Sequence, residues 1–480
     1  MNSLPFINCG IEELQHTHID LKNSVATDNY EEVVLAYLKE EDFSIKDTHG
    51  NNLLHIAAKE GLRTMCRGIC ALTGDLELWN QKNKEGLTPI DVADPKTRRD
   101  LLLISMRSQT VPSHHSLANR ELLEARLQQS NPNFKVLLSL DGGGVRAILE
   151  ATMLMAIEKE LGEPILSRTH WLGGTSCGGI MAMCLGCGIS PDEQRRVFFY
   201  TRKKTFCGNT KMFPKHDSAG LEQNLKDIIG SYTTMSCLAT HKVMVTAAKC
   251  QSAPPSLILF RTYAPRVSVK EFEQYGYFDP DKILAWKAMR CTSAAPVYFS
   301  SFHGLADGAI FCNNPCTTLM TDFFKLKKVE RFKGVRNDDE IGCVISIGSG
   351  SEPVVPLGGI DINLSNALAI GRDFREIFGN GKNLITLFMY QCTSSHAVPV
   401  GQAREWAHSL NIPFFRFSPR LSRAFELDSH QIDGIFDFMF ETEVYLRTQA
   451  RQDIADLVKL LKTMPKNESP NYKDIVHHNK

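Results

Sequence analysis

Three short strings, far apart in the 480-residue chain, carry residue types that together could perform acyl transfer: DGGGVR (Asp141 to Arg146), GTSCG (Gly174 to Gly178) and DGA (Asp307 to Ala309). A serine between glycines at a strand-to-helix turn is held in a strained backbone conformation with its hydroxyl exposed. Ser176 follows HWLGG and precedes the apolar run CGGIMAMCLG. That run reads as a buried helix whose N-terminus favours developing negative charge beside the hydroxyl. The framing residues Gly174 and Gly178 carry no side chain that could collide with the neighbouring strand or helix.

The glycine run 142–144 stands directly after a strand-like segment and directly before a helical one. Consecutive glycines let backbone N–H groups turn outward together as an anion cradle. One use is an oxyanion hole for a tetrahedral intermediate, where losing one donor costs roughly 100- to 1000-fold in rate. The rival is a nucleotide loop, because Gly142-x-Gly144-x-x-Ala147 matches the dinucleotide fingerprint. That fingerprint wants an acidic residue about 20 positions on, at the end of a second strand. Glu160 and Glu163 fall near that distance but beside the end of a helix, which favours the oxyanion reading. Asp307, in a tight turn with Gly308, could orient and deprotonate the serine directly if burial raises its pKa and the hydroxyl lies within about 3 Å. An ordinary hydrolase triad runs serine, acid, histidine along the chain. His396, His408 and His430 are candidates, yet none sits in a glycine-framed turn, so a Ser–Asp dyad is preferred.

These strings need a scaffold. KVLLSL (Lys135 to Leu140) has the length and apolarity of a buried parallel strand, and strand-like runs recur at His241 to Ala247, Ser256 to Tyr263 and Cys343 to Gly350. Helical stretches fall at Ile148 to Leu161, Gly179 to Gly186, Pro191 to Arg202 and Leu221 to Ile229. Strands alternating with helices predict an α/β sheet covered on both faces. The segment FDFMFETEVYLRTQARQDIADLVKLLK has helical periodicity and is expected to cap it.

Upstream, GNNLLHIA (Gly50 to Ala57) aligns position for position with GLTPIDVA (Gly86 to Ala93), an offset close to the ankyrin period of about 33 residues. Asp20 to about Ser105 therefore resembles two to three ankyrin repeats, too few to bury much surface alone. Residues 106–133 turn polar and read as a linker holding one short helix, ANRELLEARLQ.

Composition sets outer bounds. Lys+Arg and Asp+Glu both number 54, so no global field favours nucleic acid or an anionic membrane. No apolar run reaches the roughly 18 residues of a membrane-spanning helix. The first fifteen residues lack the basic and apolar regions of a secretory signal. The 14 cysteines are scattered, often in apolar contexts, which fits a reducing cytosol better than a disulfide framework. Cys184-x-x-Cys187 lacks the partner pair of a metal site and reads as buried thiols.

The three motifs resemble those of the patatin-like phospholipases. AMRCTSAAPVYF (Ala288 to Phe299), DGAIFCNNP and VISIGSG extend the likeness, which spans about Lys135 to Lys462. With the repeats in front, and with REWAHSLNIPFFRFSP and ETEVYLRTQ near the C-terminus, the chain is similar to the calcium-independent phospholipases A₂ of group VI, beta type. The resemblance implies a central, mostly parallel sheet flanked by helices over 134–465, a short ankyrin array over 20–105, and a polar tail over 466–480. It implies Ser176 as nucleophile and Asp307 as base. It makes the N–H groups of Gly143 and Gly144 the oxyanion hole, with Gly142 and Arg146 supporting. No metal and no cofactor are implied.

The implied reaction is hydrolysis of the sn-2 ester of a glycerophospholipid through an acyl-enzyme, in a cytoplasmic protein peripherally associated with membranes. The substrate class leaves lysophospholipid or acyl-CoA open. A reading of another class, an ankyrin-based interaction protein with an inactive hydrolase domain, would require a missing catalytic element. Two departures stand out: Ala147 replaces the usual glycine at the end of the first motif, and the array is shorter than in the long mammalian-type enzymes. The bilayer surface is the expected partner, and FFKLKKVERFK (Phe323 to Lys333) is basic with interleaved aromatics, as at membrane surfaces or in calmodulin targets, although an ordinary solvated helix fits it as well. A homodimer through the catalytic domain and regulation by calmodulin are further implications of the family; nucleic acid is not.

Overall fold

The computed structural model describes residues 18–106, 114–206, 214–238, 240–354 and 398–467. His396, the N-terminal fifteen residues and nearly all of the polar tail lie outside the described residues.

The N-terminal unit is built from six helices: α1 (Leu21–Ala26), α2 (Tyr30–Leu38), α3 (Leu53–Lys59), α4 (Arg63–Leu72), α5 (Pro89–Val92) and α6 (Pro95–Ser105). Each odd helix packs on the even one that follows, and α1, α3 and α5 stack in turn. Between pairs the chain makes a tight turn. Asp47 N–H donates to Asn51 O at 2.9 Å, Asn83 N–H to Leu87 O at 2.9 Å, and Lys84 N–H to His49 O at 3.0 Å. His55 ties one pair to the next, its Nδ1 2.8 Å from Asn52 Oδ1 and its Nε2 2.9 Å from Leu87 O.

Helix α7 (His114–Leu127) follows, inside the stretch expected to be a linker. It is docked rather than free. Arg126 donates to Asn411 O at 2.8 Å and covers the Phe134 ring at 4.4 Å, and Asn119 accepts from Phe414 N–H at 2.7 Å. Asn119 and Arg126 are spent on the sheet edge and Arg120 on Asp456 of the last helix, which the composition of the segment conceals.

The second unit contains β1 (Phe134–Leu140), α8 (Ala147–Leu161), β2 (Trp171–Gly174), α9 (Cys177–Gly186), α10 (Pro191–Thr205), α11 (Ala219–Ile229), β3 (Lys242–Lys249) and β4 (Ser256–Arg261). It continues through α12 (Ala285–Thr292), β5 (Leu305–Asp307), α13 (Ala309–Cys312), α14 (Cys316–Phe332), β6 (Glu340–Ile347), α15 (Val398–Ser409), β7 (Phe414–Phe417), α16 (Ile432–Arg447) and α17 (Arg451–Leu461). The strands form one sheet in the order β4-β3-β2-β1-β6-β7, with β5 also on β3. The pairings β1–β2, β1–β6, β2–β3 and β6–β7 are parallel, while β4 and β5 run antiparallel to β3.

Both faces are covered. Val136, Leu138 and Leu140 of β1 enter one apolar core, and Leu137 between them enters the other. Alternation of a strand's side chains puts a helix layer on each side, which is why β1 reads as a continuous apolar run. Helix α14 belongs to the second core: Phe323 is buried 5.1 Å from the Trp171 ring, and Phe324 lies 5.8 Å from Trp406. The aromatics of 323–333 are therefore packed inward, and Phe332 is the one left strongly exposed. No helix among the described residues is long and apolar enough to cross a membrane.

The two units are locked together by α16. Arg67 of α4 bridges Asp100 at 2.7 Å and Asp437 of α16 at 2.7 Å. Helix α10 adds a second tie: Asp192 accepts from the Tyr37 hydroxyl of α2 at 2.9 Å, and Arg195 Nε donates to the same hydroxyl at 2.9 Å.

Candidate active site

The register of the sheet brings the three motifs to one place. Leu140 pairs with Gly174, Gly174 with Val245, and Ala247 with Asp307. The turns leaving β1 and β2 thus emerge side by side at the strands' C-terminal ends, the usual location of sites in open α/β sheets. Asp307 stands two residues further along β3.

Ser176 is the residue just before α9 and has φ 56° and ψ −126°. Such a conformation costs a non-glycine residue on the order of 1–3 kcal/mol, and surrounding contacts must hold it. Three threonines do so. The Ser176 N–H donates to Thr292 Oγ1 at 2.9 Å. Thr175 Oγ1 lies 2.8 Å from Thr246 Oγ1 and donates to Cys312 O at 2.8 Å. Gly178 shows why the elbow admits no side chain: a Cβ there would stand 2.3 Å from Asp141 O and 2.6 Å from Leu140 O. Gly174 closes β2 on the opposite side of the same turn.

Asp307 is buried at the end of β5. Its carboxylate accepts from Ala309 N–H at 2.8 Å, and the Ser176 hydroxyl stands near enough to favour its charged form. Burial pushes its pKa up to about 7, and these two neighbours only partly oppose that rise. Gly308 leads directly from this residue into α13. The pair therefore has the proximity and the basicity that proton abstraction near neutral pH calls for.

The glycine run lies against the elbow. Gly142 is tied down, its N–H donating to Asn313 O at 3.0 Å and its O accepting from Ser349 Oγ at 2.8 Å. The Gly143 N–H points at the Cys177 sulfur. Gly144 has φ +58°, which glycine adopts at no steric cost, and its N–H has no acceptor among the described residues. Val145 N–H donates to Leu427 O at 2.9 Å. Arg146 braces the turn: its Nη1 meets Glu352 Oε1 at 2.6 Å, and Glu352 in turn accepts from Phe425 N–H at 3.0 Å. Ala147, in place of glycine, has φ −52° and opens α8 in an ordinary right-handed conformation.

Beneath this loop lies a buried polar group that the motifs did not announce. Asp141 forms an ion pair with Arg416 of β7 at 2.7 Å and accepts from Asn314 Nδ2 at 2.8 Å. Arg416 also donates to Ser346 Oγ at 2.8 Å. Asn313 and Asn314 follow the DGA string immediately, so the adjacency was a usable signal. Arg416 and Thr292 had none, because their partners lie far away in sequence.

Ser176 and Asp307 open onto a cavity of about 180 Å³ lined mainly by apolar residues of α8, α9, α10 and α11, including Ile148, Ile180, Met181, Val197 and Leu225. Neither His408, on α15, nor His430 lines it. No group of three or more His, Cys, Asp or Glu side chains that could hold a metal is found among the described residues. Such a constellation, a strained serine on a buried carboxylate beside backbone donors and an apolar pocket, defines the class: a serine acyl hydrolase of α/β architecture.

Comparison with known proteins narrows this. Residues 138–320 match the patatin-like phospholipase family, so this segment is a patatin-like phospholipase domain with the corresponding mostly parallel α/β fold. The chain is 31% identical over 328 residues to the intracellular phospholipase A2 of Caenorhabditis elegans, which covers 68% of this chain and 29% of that protein. It is 32% identical over 333 residues to the 85/88 kDa calcium-independent phospholipase A2 of Mus musculus, covering 68% of this chain and 40% of the relative. To the cGAMP-activated phospholipase of Escherichia coli (strain TW11681) it is 28% identical over 286 residues, 52% of this chain and 71% of that one. The chain thus spans less than half the length of the first two relatives.

Proposed function

We propose that the protein is a calcium-independent phospholipase A₂ that cleaves the sn-2 acyl ester of glycerophospholipids through a Ser–Asp dyad. The observation that carries this reading is the strained Ser176 beside a buried Asp307, both lining one cavity, with the carboxyl's pKa pushed up to about 7. In the first half-reaction Ser176 Oγ attacks the ester carbonyl while Asp307 takes its proton. The negative charge on the tetrahedral oxygen falls beside Gly144 N–H and Gly143 N–H; the latter only has to leave a sulfur, a weak acceptor. Collapse expels the lysophospholipid alkoxide, which recovers the proton from Asp307. Water, deprotonated by the same carboxylate, then splits the acyl-enzyme into fatty acid and free Ser176. No step requires a metal ion. Fixed donors aimed at developing charge supply most of the rate in such a site.

Phe311, 42% exposed on α13 next to the cavity residues Ala309 and Ile310, supports entry of substrate from a bilayer surface at this mouth. We further read residues 20–105 as a short ankyrin array. The stacked helix pairs, the turns at Gly50 and Gly86, and the His55 bridge between successive repeats support it.

Hydrolysis of mixed-chain phosphatidylcholine vesicles with EDTA present tests the reaction. Release of the sn-2 acid by the wild type and a loss of at least 1000-fold in Ser176→Ala are expected. Equal hydrolysis by that variant would remove Ser176 from the mechanism.

A further inference from the structure

We propose that His216 and Asp428 form a latch between two parts of the cavity wall that positions the oxyanion turn 143–145, making both of them positioning residues for acyl transfer. The inference rests on the oxyanion reading of that turn. Successive glycines have no side chains to hold them in one conformation, so the turn depends on restraints from outside. Its near end is fixed by Asn313 and Ser349 on Gly142. Its far end is fixed from another direction, because Val145 N–H donates to Leu427 O at 2.9 Å. Gly144 lies against that carbonyl: a Cβ there would stand 2.2 Å from the oxygen and 2.9 Å from Leu427 Cβ. Leu427, Gly143 and Gly144 all line the cavity with Ser176.

Leu427 sits in the loop between β7 and α16, and its neighbour Asp428 ties that loop down. His216 Nε2 lies 2.8 Å from Asp428 Oδ2. A carboxylate only accepts, so that nitrogen carries the proton and donates it. His216 is buried, its ring centred 5.6 Å from those of Phe206 and Phe299. Its backbone N–H donates to Tyr298 O at 3.0 Å, and Lys215 N–H donates to Val297 O at 2.9 Å. Val297 has φ +75°, a conformation that a β-branched residue keeps only under restraint. Tyr298 and Phe299 line the same cavity, whereas His216 does not. One chain of contacts thus runs from the strained 297–299 turn through His216 and Asp428 to Leu427 and the oxyanion turn.

The neighbouring charges do less. Lys215 Nζ lies 3.6 Å from both Asp428 and Glu426, but the Glu426 side chain is 76% exposed, and lysine pairs of that length near solvent add little. His216, desolvated between two rings and in hydrogen-bond contact with the carboxylate, carries the latch. Donors of an oxyanion hole act by already pointing at the developing charge, and a displacement of about 1 Å can cost about 100-fold in rate. Loosening Leu427 therefore slows the chemistry and leaves binding of the ground state unchanged.

The test breaks the latch from each side. His216→Phe keeps a ring between Phe206 and Phe299 but removes the donor, and Asp428→Ala removes the acceptor. Each should lower kcat on phosphatidylcholine vesicles by about 30- to 100-fold, with KM within about twofold of the wild type. The double variant should be no slower than either single one, and His216→Gln, which returns an N–H, should recover to within about fivefold of the wild type. A fatty-acyl trifluoromethyl ketone, whose adduct with Ser176 carries the oxyanion, should bind both broken variants about 30-fold more weakly, while the matching carbinol binds all forms alike. A loss shared by ketone and carbinol, or a kcat unmoved in both variants, overturns the inference. Hydrogen exchange at Val145 N–H, followed on the peptide spanning 141–147, needs no catalysis and should quicken by about tenfold or more in both. If the wild type binds ketone and carbinol alike, the oxyanion reading falls, while faster exchange in the variants still supports the latch. Unchanged exchange in both variants overturns the latch itself.

Discussion

The turns of the N-terminal helix pairs and the turns of the catalytic sheet are both built on glycine, for opposite physical reasons. Gly86 has φ +80° and nothing within 4 Å of where a Cβ would stand, so it is there for its backbone conformation alone. At Gly178 the φ is ordinary, but a Cβ would lie 2.3 Å from a backbone oxygen of the facing strand end. The first turn only has to reverse the chain. The second has to bring two strand ends close enough for a serine, a carboxylate and free N–H groups to share one small volume. Close approach, rather than flexibility, is what distinguishes the catalytic half.

The largest effect should come from breaking that approach. Gly178→Ala is expected to cost more than 1000-fold in ester hydrolysis, because the elbow must back away from Asp141 for the new methyl to fit. Near-normal kcat/KM in this variant would show the closeness to be dispensable. Next comes the buried support. Arg416→Met leaves the Asp141 carboxylate buried without its cation, a change that typically costs about 3–5 kcal/mol, readable as a fall in denaturation midpoint.

Asp307→Asn sharpens the contrast between stability and function. A carboxyl with a folded pKa of about 7 against an ordinary 3.8 binds its proton more tightly in the folded chain. Its unfavourable contribution therefore grows as pH rises from about 4 to about 7 and is complete above that, on the order of 4 kcal/mol. The asparagine variant should lose hydrolysis yet be more stable than the wild type at pH 8, with the gain vanishing below about pH 4. The smallest effect is predicted for Gly86→Ala. It should destabilise the helical unit by about 1 kcal/mol, the cost of a side chain at a left-handed φ, with kcat/KM unchanged.

How much of this was legible in the sequence follows the same division. The strings around Ser176 and Gly142–Gly144 are local, and each could be placed at a strand-to-helix turn from its flanks alone, whereas DGA reads by itself only as a tight turn. The long strands β1, β3, β4 and β6 announced themselves as apolar runs. By contrast β2, β5 and β7 have three or four residues each, too few for any periodicity to register. WLGG, moreover, contains two glycines, which strand propensity disfavours. Thr292, Ser349 and Arg416 escaped because their roles exist only through tertiary contact. The Asp141–Arg416 pair joins residues on either side of nearly the whole domain. The docking of α7 was hidden for the same reason, since a polar composition does not distinguish a free linker from a helix that docks through a few of its polar groups.

The central claim is that Asp307 alone activates Ser176. It is tested most directly by the rate of covalent labelling by a fluorophosphonate probe as a function of pH, in the wild type and in Asp307→Asn. The account predicts a wild-type rate that rises through an apparent pKa of about 7 to a plateau, and in the variant a rate lower by at least 100-fold at pH 8 with that step gone. An unchanged profile in Asp307→Asn, or one abolished instead by His408→Ala or His430→Ala, would contradict it.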